Sequence, residues 1–244
     1  VSGGLERIVT LAEEHNADVV KFKNRSVQDS SELDKSSVSD TPMNIEITTG
    51  DGVLNRHDIS DYIVWDGIYR RTVIIENNIL FKTDLCLRED DTFMGMLYCH
   101  ANVVIATDLP LYRYVSASNY SSTHNQSVEK QRRLIISGLK AAQHRGHYVQ
   151  EHKPEVMRLE RLKYMRWVCT VRNAISAQLT LKEYKALLND FRKENIYPLD
   201  YAWIKVAGWD YAFKPYMKRV LQTFMMNNPW LVWLPAKWYY SKRK

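Results

Sequence analysis

Trp65-Asp66-Gly67-Ile68-Tyr69-Arg70-Arg71, then Asn78-Ile79-Leu80-Phe81, then Glu89-Asp90-Asp91-Thr92-Phe93 is the ordered set of segments on which the reading of this chain turns. Between the first two segments, Thr72 to Asn77 has the spacing of one or two helical turns, and Asn77-Asn78 supplies a stop. Ile79-Leu80-Phe81 is apolar and short, which predicts a strand. Glu89-Asp90-Asp91 predicts the start of a helix running to about His100, because carboxylates there complement the positive end of the helix dipole.

Upstream, Leu5, Ile8, Val9 and Leu11-Ala12 follow the three-and-four spacing of an amphipathic helix to about Asn16. Ala17 to Phe22 reads as a β-branched strand. Asn24 to Pro42 turns to Ser, Asp and Lys and reads as a surface loop, and a further helix is expected over Val53 to Tyr62. Downstream, Val103 to Ala106 and Leu111 to Val115 predict two strands around Asp108-Leu109-Pro110, followed by a Ser/Asn-rich loop over Ser116 to Ser127. Helical patterns then take over. Ser127 is the expected N-cap of a helix to about Gln150, and Pro154 suits the first turn of a helix to about Ala177. Thr180-Leu181-Lys182-Glu183 is a capping box opening a helix to about Asn195, and one more helix is expected over Tyr211 to Met226.

Charge divides the chain at the same place. Residues 1–126 carry 11 Lys/Arg against 19 Asp/Glu, whereas residues 127–244 carry 23 against 9, so the overall +6 hides two parts of opposite sign. With 45% apolar and 25% charged residues in 244, wholesale disorder is excluded. Cys86, Cys99 and Cys169 lie far apart, which argues against a disulfide framework or a zinc site and suits a reducing compartment. No apolar run is long enough for a membrane helix, and no secretory leader is expected.

The ordered set from Trp65 to Asp91 resembles the second half of the bacterial, inverting family 2 glycosyltransferases of the GT-A type. In that family a Trp…Ile-Tyr-Arg segment, an apolar strand ending in Phe and a Glu-Asp turn follow one another in this order. Leu109-Pro110-Leu111-Tyr112-Arg113-Tyr114 and Ser118 to Thr123 are similar to the family's closing strand and serine-containing loop, with Gly4 to Arg7 and Ala17 to Val20 as the preceding helix and strand. The resemblance covers residues 1–126. It implies an α/β fold, a partial GT-A (nucleotide-diphospho-sugar transferase-like) domain over 1–126, with a basic, mostly helical C-terminal domain over 127–244.

What the resemblance implies about chemistry follows from the same residues. Inversion at a sugar carbon needs one base to take the proton of the attacking hydroxyl. By resemblance that base is Asp90, with Glu89 orienting its surroundings and Asp91 the alternative base. The plain reading of the triplet is that three acids merely complement a helix dipole. Trp65 and Tyr69 are candidates for an aromatic wall against a sugar ring, and Arg70 or Arg71 for meeting a phosphate. The alternatives are core packing, which the residue type favours for Trp65, and solvated arginines. Tyr112 and Tyr114 share one strand face with Arg113 on the other, so either face is a candidate lining for the acceptor cleft. Ser121 lies in the serine-containing loop, and His124 is a candidate for assisting a metal ion or diphosphate, beside the reading of a solvated loop histidine. His144, His147 and His152 lack ligand spacing.

The resemblance further implies a nucleotide-sugar donor, a saccharide or lipid-linked acceptor in cell-surface polysaccharide synthesis, and a divalent cation, Mg or Mn. The family's Asp-x-Asp is not found here, and it falls just before the segment matching Val1 to Gly4. The expectation is that the chain begins downstream of the donor half, carries few of the cation's ligands, and is inactive by itself. Arg158, Arg166, Trp167, Lys218, Trp233 and Lys237 exemplify the cations and rings of the C-terminal part, which suit an anionic lipid surface. Peripheral association with the cytoplasmic membrane face is therefore expected. The alternatives are a basic bundle with its rings packed inward, an oligomer contact, or a binding module without chemistry. No nucleic-acid motif accompanies the basic helices, which argues against a nucleic-acid partner.

Overall fold

The computed structural model describes residues 3–27, 42–56, 62–115, 127–156 and 180–193, with isolated positions between 198 and 231. It divides into two compact units, one made of residues 1–82 and 90–125, the other of 83–89 and 126–244.

In the first unit, helix α1 (Gly4–Glu14) runs into strand β1 (Val19–Val27), and strand β2 (Ile45–Thr48) into helix α2 (Gly50–Arg56). Strand β3 (Gly67–Tyr69) is followed by helices α3 (Arg71–Glu76) and α4 (Glu89–Tyr98) and strand β4 (Val104–Val115). The four strands form one mixed sheet in the order β2-β4-β1-β3. β1 and β4 are parallel, and β2 and β3 flank them antiparallel. Ile8 and Leu11 of α1 meet Val20, Ile105 and Leu109 of the central strands, so the apolar stripe of α1 closes one core cluster over the sheet. α4 is different in kind, because every residue from Asp91 to Tyr98 is buried. A helix buried all round cannot be amphipathic, which is why its stretch carries no helical periodicity.

Several expectations are corrected. Ile79-Leu80-Phe81 forms no strand; Ile79 is buried while Leu80 and Phe81 are exposed, so the apolar run splits between core and surface. The two strands expected around Asp108-Leu109-Pro110 are one strand, β4. It absorbs the interruption as a bulge, because its register advances from Ala106 to Pro110 while β1 moves only from Lys21 to Lys23. Asn24 belongs to β1, which continues to Val27, rather than to a loop. The second helix begins at Gly50, earlier than Val53, and is described to Arg56. β2, whose Ile45-Glu46-Ile47-Thr48 alternates like a strand, was not anticipated.

In the second unit, helix α5 (Val128–His152) starts as expected at Ser127, whose hydroxyl accepts from the Lys130 N–H at 3.3 Å. Ser137, buried within α5, accepts from the Cys86 and Leu87 N–H groups at 2.8 and 3.0 Å and donates to the Leu87 carbonyl at 3.2 Å. One serine thus anchors the 83–89 segment to this unit. Pro154 lies in a turn after α5, and the helix expected beyond it falls outside the described residues, as does most of that expected over 211–226. Helix α6 (Leu181–Lys193) opens with the expected capping box: the Thr180 N–H donates to Glu183 at 2.7 Å, and the Glu183 N–H to the Thr180 hydroxyl at 3.3 Å.

Candidate functional site

Glu89 and Asp90 are the first two residues of α4, so the acidic triplet opens a helix as expected. Arg88 immediately before it has φ 68°, a left-handed conformation that costs a residue with a side chain about 1–2 kcal/mol. Glu89 is exposed, Asp90 half-buried and Asp91 buried. Asp90 Oδ1 accepts from the Asp91 N–H at 2.8 Å, which satisfies one free donor of the helix start. Of the three acids, Asp90 combines partial access with the dipole and its own backbone bond.

Tyr69 ends β3 beside this helix, its ring edge-on to Phe93 at 6.4 Å, and Phe93 stacks on Phe81 at 4.4 Å. The Tyr69 hydroxyl donates to the Val64 carbonyl at 2.6 Å. Burial raises its pKa well above the ordinary phenol value, and the charges of Asp66 and Asp90 raise it further. Tyr69 is therefore a neutral donor at any physiological pH, sensing carboxylates from two segments.

Asp66 is buried and bonded to the buried Lys21 of β1, with Asn24 donating to its other oxygen at 3.2 Å. Lys21 also donates to the Ile63 carbonyl. Sequence reading missed Lys21 and Asn24. The available signal was a lysine at an inward strand position one residue after Val19-Val20, which needs a buried partner.

Trp65 is half-buried and stacks on Tyr114 (5.3 Å between centroids, 15° between planes) and, tilted, on Tyr112 (4.5 Å). The expected shared face of Tyr112 and Tyr114 is thus present, and both rings remain 38% exposed. Arg113 donates to the Pro110 carbonyl at 3.0 Å, within its own strand. Arg70 forms an ion pair with Asp18 at 2.9 Å and donates to Asn16 Oδ1 at 2.8 Å and to the Ala17 carbonyl. Asp18 in turn accepts from the Asn102 and Val103 N–H groups. Arg70 is thereby a strut joining the β3–α3 junction to the α1–β1 turn. Arg71 is exposed on α3. Ser121 and His124 fall outside the described residues.

Among the described residues, no group of three or more His, Cys, Asp or Glu side chains is placed to hold a metal ion. Among the same residues no helix is long and apolar enough to cross a membrane.

No family model and no curated protein matches the sequence. Solved structures do. S. aureus TarS in complex with UDP superposes with a TM-score of 0.60 at 14% identity, covering 98% of this chain and 63% of that one. The fold is glycosyltransferase-like. TarS in complex with UDP-GlcNAc gives 0.58 at 15%, over 98% of this chain and 64% of that chain. A likeness at this identity concerns the glycosyltransferase-like fold alone, and this chain spans less than two thirds of the TarS chains it matches.

Proposed function

We propose that the protein transfers a glycosyl group from a nucleotide-sugar to a hydroxyl acceptor with inversion, as a family 2, GT-A enzyme of surface polysaccharide synthesis. The reading is carried by the likeness of nearly the whole chain to TarS, whose structures hold UDP and UDP-GlcNAc. In the proposed reaction the acceptor oxygen attacks the anomeric carbon as the bond from that carbon to the diphosphate oxygen breaks. The nucleoside diphosphate leaves with the electron pair, and Asp90 takes the acceptor's proton. Supporting this role, Asp90 is half-buried in the first turn of α4, where the helix dipole favours a negative charge. Tyr69, kept protonated, bounds the same neighbourhood as a fixed donor.

The test is release of UDP from UDP-GlcNAc by the full-length protein, with Mg2+ or Mn2+ and a panel of saccharide and lipid-linked acceptors. Asp90→Asn is expected to lower kcat by about 10²- to 10⁴-fold, the usual contribution of a general base, with nucleotide-sugar affinity retained. Transfer at the wild-type rate by this variant removes Asp90 from the role.

A further inference from the structure

A cleft with a volume of about 320 Å³ lies in the first unit. Lys21, Asn24, Asn44, Glu46, Asp66 and Asp108 line it. Asn44 donates to Asp108 twice, from its backbone N–H at 2.9 Å and its side-chain amide at 2.6 Å. Those bonds hold the Asp108 carboxyl below the usual carboxylate range, so it faces the cleft ionised.

The Trp65–Tyr112–Tyr114 stack lies next to two residues of the cleft wall, Asn24 and Asp66, without itself lining the cleft. Asn24 is the register partner of Tyr112, and Ser26 of Tyr114, so these side chains share one face of the sheet. Asn24 reaches Asp66, and Trp65, the neighbour of Asp66, lies on both tyrosines.

Charge decides what such a cleft accepts. Lys21 and Lys23 face three carboxylates, Glu46, Asp66 and Asp108, and Lys21 is bonded to Asp66. The walls offer no excess of positive charge, so a diphosphate is disfavoured there. Amide and carboxylate groups beside exposed rings match a pyranose instead, with hydroxyls for the polar groups and a C–H face for the rings. The volume, at the low end for ligand pockets, admits a group of that size.

We propose that this cleft and the aromatic stack form a subsite for a neutral saccharide, the sugar of the acceptor. As the acceptor's place it rests on the transferase reading, whereas saccharide binding rests on the cleft itself. Calorimetric titration of the full-length protein with neutral hexose and N-acetylhexosamine oligosaccharides, and with carboxylated ones, tests it beside titration with UDP-GlcNAc. Neutral sugars are expected to bind better than carboxylated ones. The Tyr112→Ala/Tyr114→Ala variant is expected to lose at least tenfold in affinity for them while binding UDP-GlcNAc unchanged. Asn44→Ala, at an exposed position that endangers folding less, should weaken the same binding. Unaltered saccharide affinity in both variants, or stronger binding of the carboxylated sugars, overturns the proposal. Saccharide binding lost in the variants by a protein that binds no nucleotide-sugar sustains the cleft and removes the transferase reading.

Discussion

Tyr69 shows how a single residue records its surroundings. Its phenol is pushed up by burial and by the carboxylates of Asp66 and Asp90. In the unfolded chain it loses its proton near pH 10, whereas in the folded protein it keeps it. Above that pH the folded state binds more protons, so stability falls as pH rises. The contribution is complete below pH 10 and is lost progressively above it. Urea midpoints between pH 8 and 11 should therefore decline, and Tyr69→Phe should flatten the decline. The same variant starts about 1 kcal/mol less stable, because the Val64 carbonyl loses its donor. Equal slopes for both proteins would place the alkaline loss elsewhere. Legibility at this scale was uneven. The acidic helix start at Glu89 was readable because acids there have a local cause, and the Tyr112/Tyr114 pairing because strands alternate. Arg70 was a phosphate candidate by type, yet its partners Asp18, Asn16 and Ala17 come from more than fifty positions away in sequence. Local spacing carries no trace of such a bond, nor of Lys21 with Asp66.

Elements were legible where their causes are local. The Ser127 cap, the Thr180–Glu183 box, α1 and α3 follow from spacing and terminal chemistry. β4 was read as two strands because Asp and Pro break a strand pattern, while the parallel partner β1 tolerates a bulge there. Ile79-Leu80-Phe81 failed for the opposite reason: an apolar run needs a ladder partner to become a strand, and among the described residues this one has none. Close packing between elements adds a constraint invisible in sequence. Gly50 opens α2 against the end of α4, donating to the Ala101 carbonyl at 3.0 Å. A Cβ there would sit 1.9 Å from the Tyr98 carbonyl oxygen and 2.8 Å from that of Ala101. Neither acceptor is a side chain that can turn away, so Gly50→Ala should cost about 3 kcal/mol. Gly138 within α5 is the contrast, since among the described residues its Cβ would meet the flexible Arg88 side chain, at an ordinary 3.8 Å. Gly138→Ala should leave stability equal or up to about 1 kcal/mol higher, because alanine suits a helix interior better. Chemical denaturation of the two variants side by side checks both signs.

For the molecule as a whole, the acidic and basic halves of the sequence carry separate expectations. The excess of Lys/Arg over residues 127–244, 23 against 9 Asp/Glu, is large enough to act at a distance. Each cation near an anionic bilayer contributes about 1 kcal/mol, and the attraction decays over a Debye length of about 10 Å at 0.1 M salt. A handful of lysines and arginines reaching the headgroups therefore suffices for micromolar binding, while the loss of orientation on docking subtracts from the sum. Sedimentation with vesicles of phosphatidylglycerol and phosphatidylcholine should pellet the protein at 0.1 M salt, and pure phosphatidylcholine should not. At 0.5 M salt the binding should fall by at least tenfold if charges dominate, and should persist if the rings, Trp233 and Trp238 among them, insert instead. Substituting Lys242, Arg243 and Lys244 together by Gln separates the terminal cluster from the rest: a drop of more than tenfold assigns the attraction to those three charges. Failure to pellet with either lipid would remove the membrane reading and leave the basic half to a protein or saccharide partner.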